Sequence, residues 1–188
     1  MIKIGITGSV SSGKSTASKI LSRKRGLVFS ADLVVRKLYQ NRSSKNLISK
    51  KFGLKNNNQI KKSIKKLILN DKINLKKLEK IIHPLVRKEM NKFTLKNKNK
   101  KILFYEIPLL IESKLMSFFD VIIFIKSNKK TRLKRFKLKK GDEVLFNFLN
   151  NQQLKDARKM KFCDHIIVNE GNLKILKNNL LNIIRKYE

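Results

Sequence analysis

Residues 8–16 read Gly8-Ser9-Val10-Ser11-Ser12-Gly13-Lys14-Ser15-Thr16. They match the pattern of a phosphate-binding loop, two glycines around four residues followed by Lys and Ser. The preceding residues 2–7 alternate and are rich in β-branched side chains, which predicts a buried strand. Apolar residues at helical spacing follow the loop, at Ala17, Ile20 and Leu21. A loop between a strand and a helix is the context that phosphate binding requires.

The residue types in this loop predict a nucleotide site. Its backbone N–H groups would surround phosphate oxygens, and its glycines would let the backbone approach closely. In such loops the lysine reaches the β- and γ-phosphates of ATP, and the serine after it holds Mg²⁺ through its hydroxyl. Ser15 is therefore the predicted metal ligand. The residues predicted to bind the nucleotide are Gly8, Ser11, Ser12, Gly13, Lys14, Ser15 and Thr16.

Length and composition favour one domain with a hydrophobic core. The chain has 188 residues, of which 41% are hydrophobic, and no apolar run approaches the length of a membrane span. The first residues enter a strand without a signal-peptide pattern, so we expect no membrane association and a cytoplasmic location. Cys163 is the single cysteine, which excludes an internal disulfide.

A formal net charge of +33 would ordinarily suggest a nucleic-acid partner. The lysines are instead spread over nearly every segment and accompanied by many asparagines, as in residues 55–58 and 96–101. Strongly A/T-biased codons would produce that mixture without any selection for binding. We therefore expect no specific nucleic-acid partner.

A second strand, residues 27–29, leads directly into Ser30-Ala31-Asp32 and a short helix that carries Arg36. Ligands of open α/β sheets bind at the carboxyl ends of the strands, so the Asp32 carboxylate is placed to accept a proton from a hydroxyl group. The same residue type also caps helices at their N-termini. The residues themselves leave both roles open.

Residues 41–99 have helical rather than strand periodicity and predict a helical insertion. His83-Pro84 interrupts the pattern, and proline suits the first turn of a helix, so a new helix is expected to start there. A lone histidine at a helix junction is usually structural, which makes His83 a capping or packing residue on this argument alone.

Three further strands are predicted at residues 102–106, 120–125 and 164–168. Glu106 ends the first of these, where an acidic residue can approach Mg²⁺, and Glu112 is expected to begin a helix. Residues 129–162 are basic and helical with a break at Gly141-Asp142, which is typical either of a lid over the triphosphate or of a surface hairpin.

The predicted architecture is α/β with three layers, a five-stranded parallel sheet with helices on both faces. One domain, 1–188, would have its core at about 1–40, 100–128 and 163–188, with the insertion at 41–99 and the lid at 129–162.

Separated motifs in this order resemble bacterial dephospho-CoA kinases. They are residues 8–16, Ala31-Asp32 with Arg36, His83-Pro84-Leu85, Pro108-Leu109-Leu110 with Glu112, and Asn169 with Gly171. The resemblance spans nearly the whole chain. It implies a P-loop kinase that uses ATP and Mg²⁺ to phosphorylate the ribose 3′-hydroxyl of dephospho-CoA, the last step of coenzyme A synthesis.

The resemblance also implies roles for individual residues. Asp32 would be the general base, Lys14 would act on the phosphates, and Arg135 would be a lid arginine that neutralises the transferring phosphoryl group. Asn169 and Gly171 would accommodate the ATP base. The residues implied to bind the acceptor are Asp32, Arg36, His83, Pro108, Leu109 and Glu112.

The chain departs from that family at a few positions. Ser9 and Ser11 stand where glycines are common, and Lys139-Lys140 stands where the lid usually has Arg-Asp. Two other functions stay open, namely another P-loop kinase for a nucleoside, nucleotide or metabolite, and a basic nucleic-acid-binding ATPase. We expect a monomer.

Overall fold

The computed structural model describes residues 1–23, 25–57 and 59–188. Its strands are β1 (Ile2–Thr7), β2 (Gly26–Ser30), β3 (Ile102–Glu106), β4 (Val121–Lys126) and β5 (His165–Val168). Its helices are α1 (Lys14–Ser22), α2 (Ala31–Leu38), α3 (Arg42–Phe52), α4 (Ile60–Asn70), α5 (Lys72–Lys96), α6 (Lys129–Leu138), α7 (Glu143–Asn151), α8 (Asp156–Met160) and α9 (Leu173–Ile184).

The five strands form one parallel sheet in the order β2-β3-β1-β4-β5. The predicted α/β fold with a five-stranded parallel sheet is therefore confirmed. β1 lies at the centre, where Gly5 pairs with Tyr105 on one side and Ile122 on the other. Because ligands of such sheets bind at the carboxyl ends of the strands, this topology places the loop that follows β1 at the functional edge.

Both faces of the sheet are covered. On one face α1 and α9 pack against the strands, and the buried core there consists of Ile4, Ile6, Ala17, Leu21, Ile102, Phe104, Val121, Ile123, Ile125, Ile167, Leu176, Leu180 and Ile184. On the other face α8 packs against β4. The turn that follows β3 also covers this face, since a Cβ at Gly5 would meet Leu110 and Phe119. Strands covered on both faces have continuously apolar sequences, as β4 does.

The chain divides into two compact units, residues 1–30 with 96–188, and residues 31–95. The second unit contains α2, α3, α4 and nearly all of α5, and no strand occurs in its described residues. Residues 41–99 are predicted to be helical rather than extended, and α3, α4 and α5 confirm this. No helix in the described parts of the chain is both long enough and apolar enough to cross a bilayer.

The expectation that a new helix starts at Pro84 is wrong. One helix, α5, runs from Lys72 to Lys96 with Pro84 inside it. Proline in a helix interior costs about 3 kcal/mol because one hydrogen bond is lost and the ring crowds the preceding turn. Ile82, Val86 and Met90 form one buried stripe at a spacing of four residues across the proline. Burial of this stripe on both sides of Pro84 offsets the cost and keeps the helix continuous.

The expectation that Glu112 begins a helix is also wrong. Residues 108–114 form turns, and only a short 3₁₀ helix, Met116–Phe118, follows them. The apolar residues Leu110 and Ile111 are buried by these turns, so their hydrophobic spacing imitates a helix start. The break expected at Gly141-Asp142 is present between α6 and α7, where Asp142 caps α7 by accepting from the N–H of Leu145 at 2.7 Å.

The close pairing of β2 and β3 predicts a strict requirement for glycine at position 26. A Cβ on Gly26 would lie 2.4 Å from the carbonyl oxygen of Ile102, its partner in the register. Backbone atoms cannot move aside as a side chain can, so Gly26→Ala should lower the free energy of unfolding by about 2 kcal/mol in urea denaturation. Gly171→Ala is the control, because its Cβ would approach only the Ile175 side chain, at 3.3 Å. Equal losses in the two variants would contradict this explanation.

Candidate nucleotide-binding site

The loop between β1 and α1 turns on three residues with positive φ. Gly8 has a φ of 149° and Gly13 a φ of 102°, values that L side chains rarely adopt. Ser11 has a φ of 57°, which places a residue with a Cβ in the left-handed region. Of the two serines that stand where glycines are common, Ser11 is the one at positive φ, where a glycine would meet no Cβ penalty. Gly13 stands at the N-cap of α1, so the loop ends at the positive end of that helix.

Two carbonyl groups of the loop bind its own lysine. The Lys14 Nζ donates to the carbonyl oxygens of Gly8 and Ser9, each at 2.9 Å. Lys14 is buried, with only 7% of its surface exposed. A buried ammonium needs several acceptors, and these two carbonyls hold it beside the loop.

Two other carbonyl groups bind side chains from distant segments. The Val10 carbonyl accepts from Arg132 Nη1 at 3.4 Å. The Ser12 carbonyl accepts from Asn169 Nδ2 at 2.8 Å and from Arg135 Nη1 at 3.4 Å. These contacts turn the carbonyl groups toward cationic and amide donors outside the loop.

Unlike these carbonyl groups, only some of the loop's N–H groups are bound within the described structure. The Val10 N–H donates to Gln153 Oε1 at 2.9 Å, and the Ser12 N–H donates to the Ser9 carbonyl at 3.1 Å. Within the described residues, the N–H groups of Ser11, Gly13 and Ser15 have no acceptor. Unsatisfied N–H groups in a curled loop at a helix N-terminus form an anion site, and phosphate oxygens fit it.

Hydroxyl and carboxylate oxygens meet at the end of the loop. The Ser15 hydroxyl donates to Glu106 Oε1 at 2.5 Å, and the Ser18 hydroxyl lies 3.2 Å from Glu106 Oε2. Glu106 ends β3 and is only 6% exposed. Mg²⁺ prefers one or two carboxylates together with hydroxyl, water and phosphate oxygens, so Ser15 and Glu106 have the right chemistry to hold it.

Arg132 and Arg135 lie on one side of α6, three residues apart. Arg132 is 6% exposed and donates to the Ser127 carbonyl at 3.1 Å and to Asn150 Oδ1 at 2.8 Å. Burial lowers the pKa of Arg132 from its usual value, and Asp156 counteracts part of that effect. Arg135 is half-buried and its Nη2 donates to the Asn169 carbonyl at 3.0 Å.

A buried ion pair connects the turn after β3 with α8. Lys159 Nζ lies 2.8 Å from Glu112 Oε1, and the Lys159 side chain is fully buried. The same oxygen accepts from the Leu154 N–H at 3.1 Å, while Glu112 Oε2 is buried and has no hydrogen-bond partner within the described structure. The sequence resemblance implies that Glu112 binds the acceptor substrate. In the structure one of its carboxylate oxygens is bound within the protein, to Lys159 and to the Leu154 N–H.

The remaining candidate residues are distributed as follows. Pro108 and Leu109 are half-buried, and the Pro108 carbonyl accepts from the Thr7 hydroxyl at 3.3 Å. Gly171 is exposed in the turn before α9. Asn169 is buried and bonded to the loop.

Three candidates lie in the unit of residues 31–95. Asp32 is exposed and lies within the first turn of α2, which begins at Ala31, so the capping role weighed for it is wrong. Arg36 lines a cleft of about 570 Å³ with Tyr39, Lys45 and other residues of the same unit.

His83 is half-buried on α5, not at a helix junction as the sequence suggests. Burial lowers the pKa of His83 from its usual value; Glu79 raises it in part and Arg87 lowers it further. The imidazole is therefore neutral at neutral pH and can act as both a donor and an acceptor.

Comparison with known proteins identifies the family. The family model described as dephospho-CoA kinase matches residues 2–174. The chain belongs to the dephospho-CoA kinase family. It is 33% identical over 187 residues to the dephospho-CoA kinase of Bartonella henselae, covering 97% of this chain and 96% of that protein.

Solved structures agree with this assignment. A dephospho-CoA kinase from Campylobacter jejuni has a TM-score of 0.63 and 25% identity, covering 99% of this chain and 97% of that one. A structure from Thermus thermophilus has a TM-score of 0.83 at 23% identity, covering 100% of this chain and 98% of that one, which shows a shared fold. The family predicted from the sequence is confirmed. These matches give no support to the alternatives of another P-loop kinase or a nucleic-acid-binding ATPase.

Several residues that contact the loop were not anticipated from the sequence. They are Arg132, Gln153 and Asp156. The one signal that indicates them is spacing, because Arg132 with Arg135 and Gln153 with Asp156 are each three residues apart. Polar residues at that spacing share one face of a helix or turn.

The packing of Asn169 against the loop predicts that Gly13 is indispensable in this dephospho-CoA kinase family member. A Cβ on Gly13 would lie 2.1 Å from Asn169 Nδ2, and its φ of 102° is already unsuited to alanine. Gly13→Ala should displace Asn169 from the Ser12 carbonyl and abolish the rise in melting temperature that MgATP produces. Gly53→Ala is the matched control, since it has a φ of 62° but open space around the Cβ. A normal MgATP-induced shift in Gly13→Ala would contradict the assigned loop geometry.

Proposed function

We propose that the protein transfers the γ-phosphoryl group of ATP to the ribose 3′-hydroxyl of dephospho-CoA, giving coenzyme A and ADP. In this reaction the 3′-oxygen forms a bond to the γ-phosphorus as the bond to the ADP oxygen breaks, and the hydroxyl proton is taken up by a base. Membership of the dephospho-CoA kinase family over residues 2–174 supports the substrates. The observation that carries the proposal is the phosphate-binding loop, whose N–H groups at Ser11, Gly13 and Ser15 lack acceptors in the described structure.

On the nucleotide side, the loop N–H groups would bind phosphate oxygens and Lys14 would pair with the β- and γ-phosphates. Lys14 Nζ is bound to two carbonyls, so it would exchange them for phosphate oxygens of higher charge. Thr16 would contact the α-phosphate. Arg135, next to the loop, would neutralise charge on the transferring group. Asn169 and Gly171 would accommodate the base.

Mg²⁺ would be held at Ser15 and Glu106. When bound, the ion neutralises charge on the β- and γ-phosphates. The Ser15 hydroxyl donates to the Glu106 carboxylate, so oxygens of both side chains lie close enough to share one ion. Ser18 supports Glu106 on its other oxygen.

On the acceptor side, Asp32 would take the proton from the 3′-hydroxyl. Its carboxylate is exposed and follows β2 by two residues in the chain. The residues proposed to bind dephospho-CoA are Asp32, Arg36, His83, Pro108, Leu109 and Glu112. We further propose that the enzyme works as a monomer in the cytoplasm, with no specific nucleic-acid or membrane partner, and that residues 41–99 and 129–162 serve as acceptor-binding insertion and lid.

The reaction can be tested directly with purified protein, MgATP and dephospho-CoA. Coenzyme A should form, and Lys14→Ala and Asp32→Asn should each lower kcat at least 100-fold because they remove the phosphate cation and the base. The two variants should also differ in ATP binding, because Asp32→Asn keeps the phosphate-binding residues and should still bind ATP in calorimetry. Adenosine as a competing acceptor should not be phosphorylated. ATP binding without coenzyme A formation by the unmodified protein would contradict the proposed acceptor.

The metal site predicts a changed requirement for Mg²⁺ in a Glu106→Gln variant. An amide oxygen binds the cation more weakly than a carboxylate, so the Mg²⁺ concentration for half-maximal rate should rise about tenfold. Titration of MgCl₂ at fixed ATP measures this concentration. Glu188→Gln, which removes an exposed carboxylate paired with Arg25, is the matched control and should leave the Mg²⁺ curve unchanged. Identical curves for Glu106→Gln and the unmodified protein would remove Glu106 from the metal site.

A further inference from the structure

The phosphate-binding loop contains a residue in an unfavourable conformation. Ser11 has a φ of 57°, and a residue with a Cβ is strained in the left-handed region. Such a conformation persists only where the surrounding structure holds it. The N–H group of Ser11 is one of those without an acceptor in the described structure, so its orientation bears directly on phosphate binding.

Hydrogen bonds from outside the loop fix the residues on both sides of Ser11. On the C-terminal side, Asn169 and Arg135 hold the Ser12 carbonyl. On the N-terminal side, Gln153 holds the Val10 N–H and Arg132 holds the Val10 carbonyl. The loop conformation therefore depends on side chains from residues 132–169.

Asp156 makes a further contact with the loop, to Ser9, and the carbonyl group of Ser9 binds Lys14. The Ser9 hydroxyl donates to Asp156 Oδ1, and Ser9 is only 3% exposed. The Ser9 carbonyl accepts from Lys14 Nζ at 2.9 Å and from the Ser12 N–H at 3.1 Å. A shift of Ser9 would thus move both the lysine and the end of the strained turn.

Asp156 is itself held firmly. It begins α8, and Lys159, three residues later, is fully buried in the ion pair with Glu112 at 2.8 Å. A carboxylate on an anchored helix gives its hydrogen bond a fixed direction, and a hydrogen bond to a charged acceptor is stronger than one between neutral groups.

We propose that Asp156 is a positioning residue for ATP: through the Ser9 hydroxyl it holds the loop in the left-handed turn at Ser11 and fixes the starting position of Lys14. This inference rests on the proposed role of residues 8–16 as the ATP site. It assigns the bond between Ser9 and Asp156 to nucleotide affinity, and no contact of Asp156 with dephospho-CoA is involved.

A simpler role for Asp156 would be to stabilise α8, because an acidic residue in the first turn of a helix interacts favourably with the helix dipole. The two roles differ in what Ser9 does. If Asp156 only stabilises α8, removal of the Ser9 hydroxyl leaves that interaction intact. If Asp156 acts on the loop, removal of either partner has the same effect on ATP.

The test compares Ser9→Ala, Asp156→Ala, the double variant and Asp156→Asn in the full chain. Calorimetry gives the Kd for ATP, and steady-state kinetics give KM for each substrate. Ser9→Ala and Asp156→Ala should each raise the Kd for ATP about five- to tenfold, the effect of one hydrogen bond to a charged group. The double variant should lose no more than either single one. KM for dephospho-CoA should stay within twofold of its original value.

Asp156→Asn provides the conservative rescue, because the asparagine Oδ1 can still accept from the Ser9 hydroxyl and should recover most of the affinity. Asp164→Ala is the matched control, since Asp164 accepts from the Ile122 N–H at 2.7 Å but does not contact the loop. That variant should lower the melting temperature and leave the Kd for ATP unchanged. If Asp156→Ala does not fold, Ser9→Ala and Asp156→Asn carry the comparison.

Two results would overturn the inference. One is a lowered melting temperature with an unchanged Kd for ATP in Asp156→Ala, which would assign the residue to α8 alone. The other is an unchanged Kd in Ser9→Ala, or losses that add in the double variant, which would show that the two residues act separately. Failure of the unmodified protein to bind ATP would instead contradict the proposed function, and the inference with it.

Discussion

A phosphate-binding loop can offer its N–H groups to an anion only if its carbonyl groups are bound elsewhere. Backbone donors and acceptors alternate along the chain, and a carbonyl turned toward phosphate would repel it. Here the carbonyls of Gly8 and Ser9 bind Lys14, that of Val10 binds Arg132, and that of Ser12 binds Asn169 and Arg135. The arrangement of the surrounding elements follows from this requirement, since the donors come from α1, α6 and the residue after β5.

The same contacts explain how the loop tolerates serine where glycine is the less restricted residue. Glycine reaches positive φ without a Cβ penalty, and Ser11 does not. The hydrogen bonds on either side of Ser11 offset that penalty and come from residues more than 100 positions later in the chain. Contacts from distant segments, rather than the freedom of a glycine, hold the loop in this conformation. The nucleotide site therefore depends on α6, α8 and the end of β5.

Local patterns in the sequence were enough to predict the loop, the five strands and the family. The loop and the strands depend on neighbouring residues, such as the alternation in residues 2–7 or the spacing of Gly8, Gly13 and Lys14, and the family depends on the order of several such short motifs. The contacts of Arg132, Gln153 and Asp156 with the loop could not be predicted, because they exist only after the sheet has brought distant segments together. The predictions of a helix start at Pro84 and at Glu112 are wrong for the opposite reason. Their local signals are strong, but burial of Ile82, Val86, Leu110 and Ile111 decides the backbone there.

The packing of α1 against α9 has a consequence for synthesis of the chain. The helix that carries Lys14 and Ser15 rests on Leu176, Leu180 and Ile184 of the last helix. During translation α1 emerges long before α9, and contacts of such high sequence separation form late. A growing polypeptide therefore displays the apolar side of α1, with Ala17 and Leu21, until α9 has also been made. The helix that follows the phosphate-binding loop thus gains its packing partner only after most of the sheet has been synthesised.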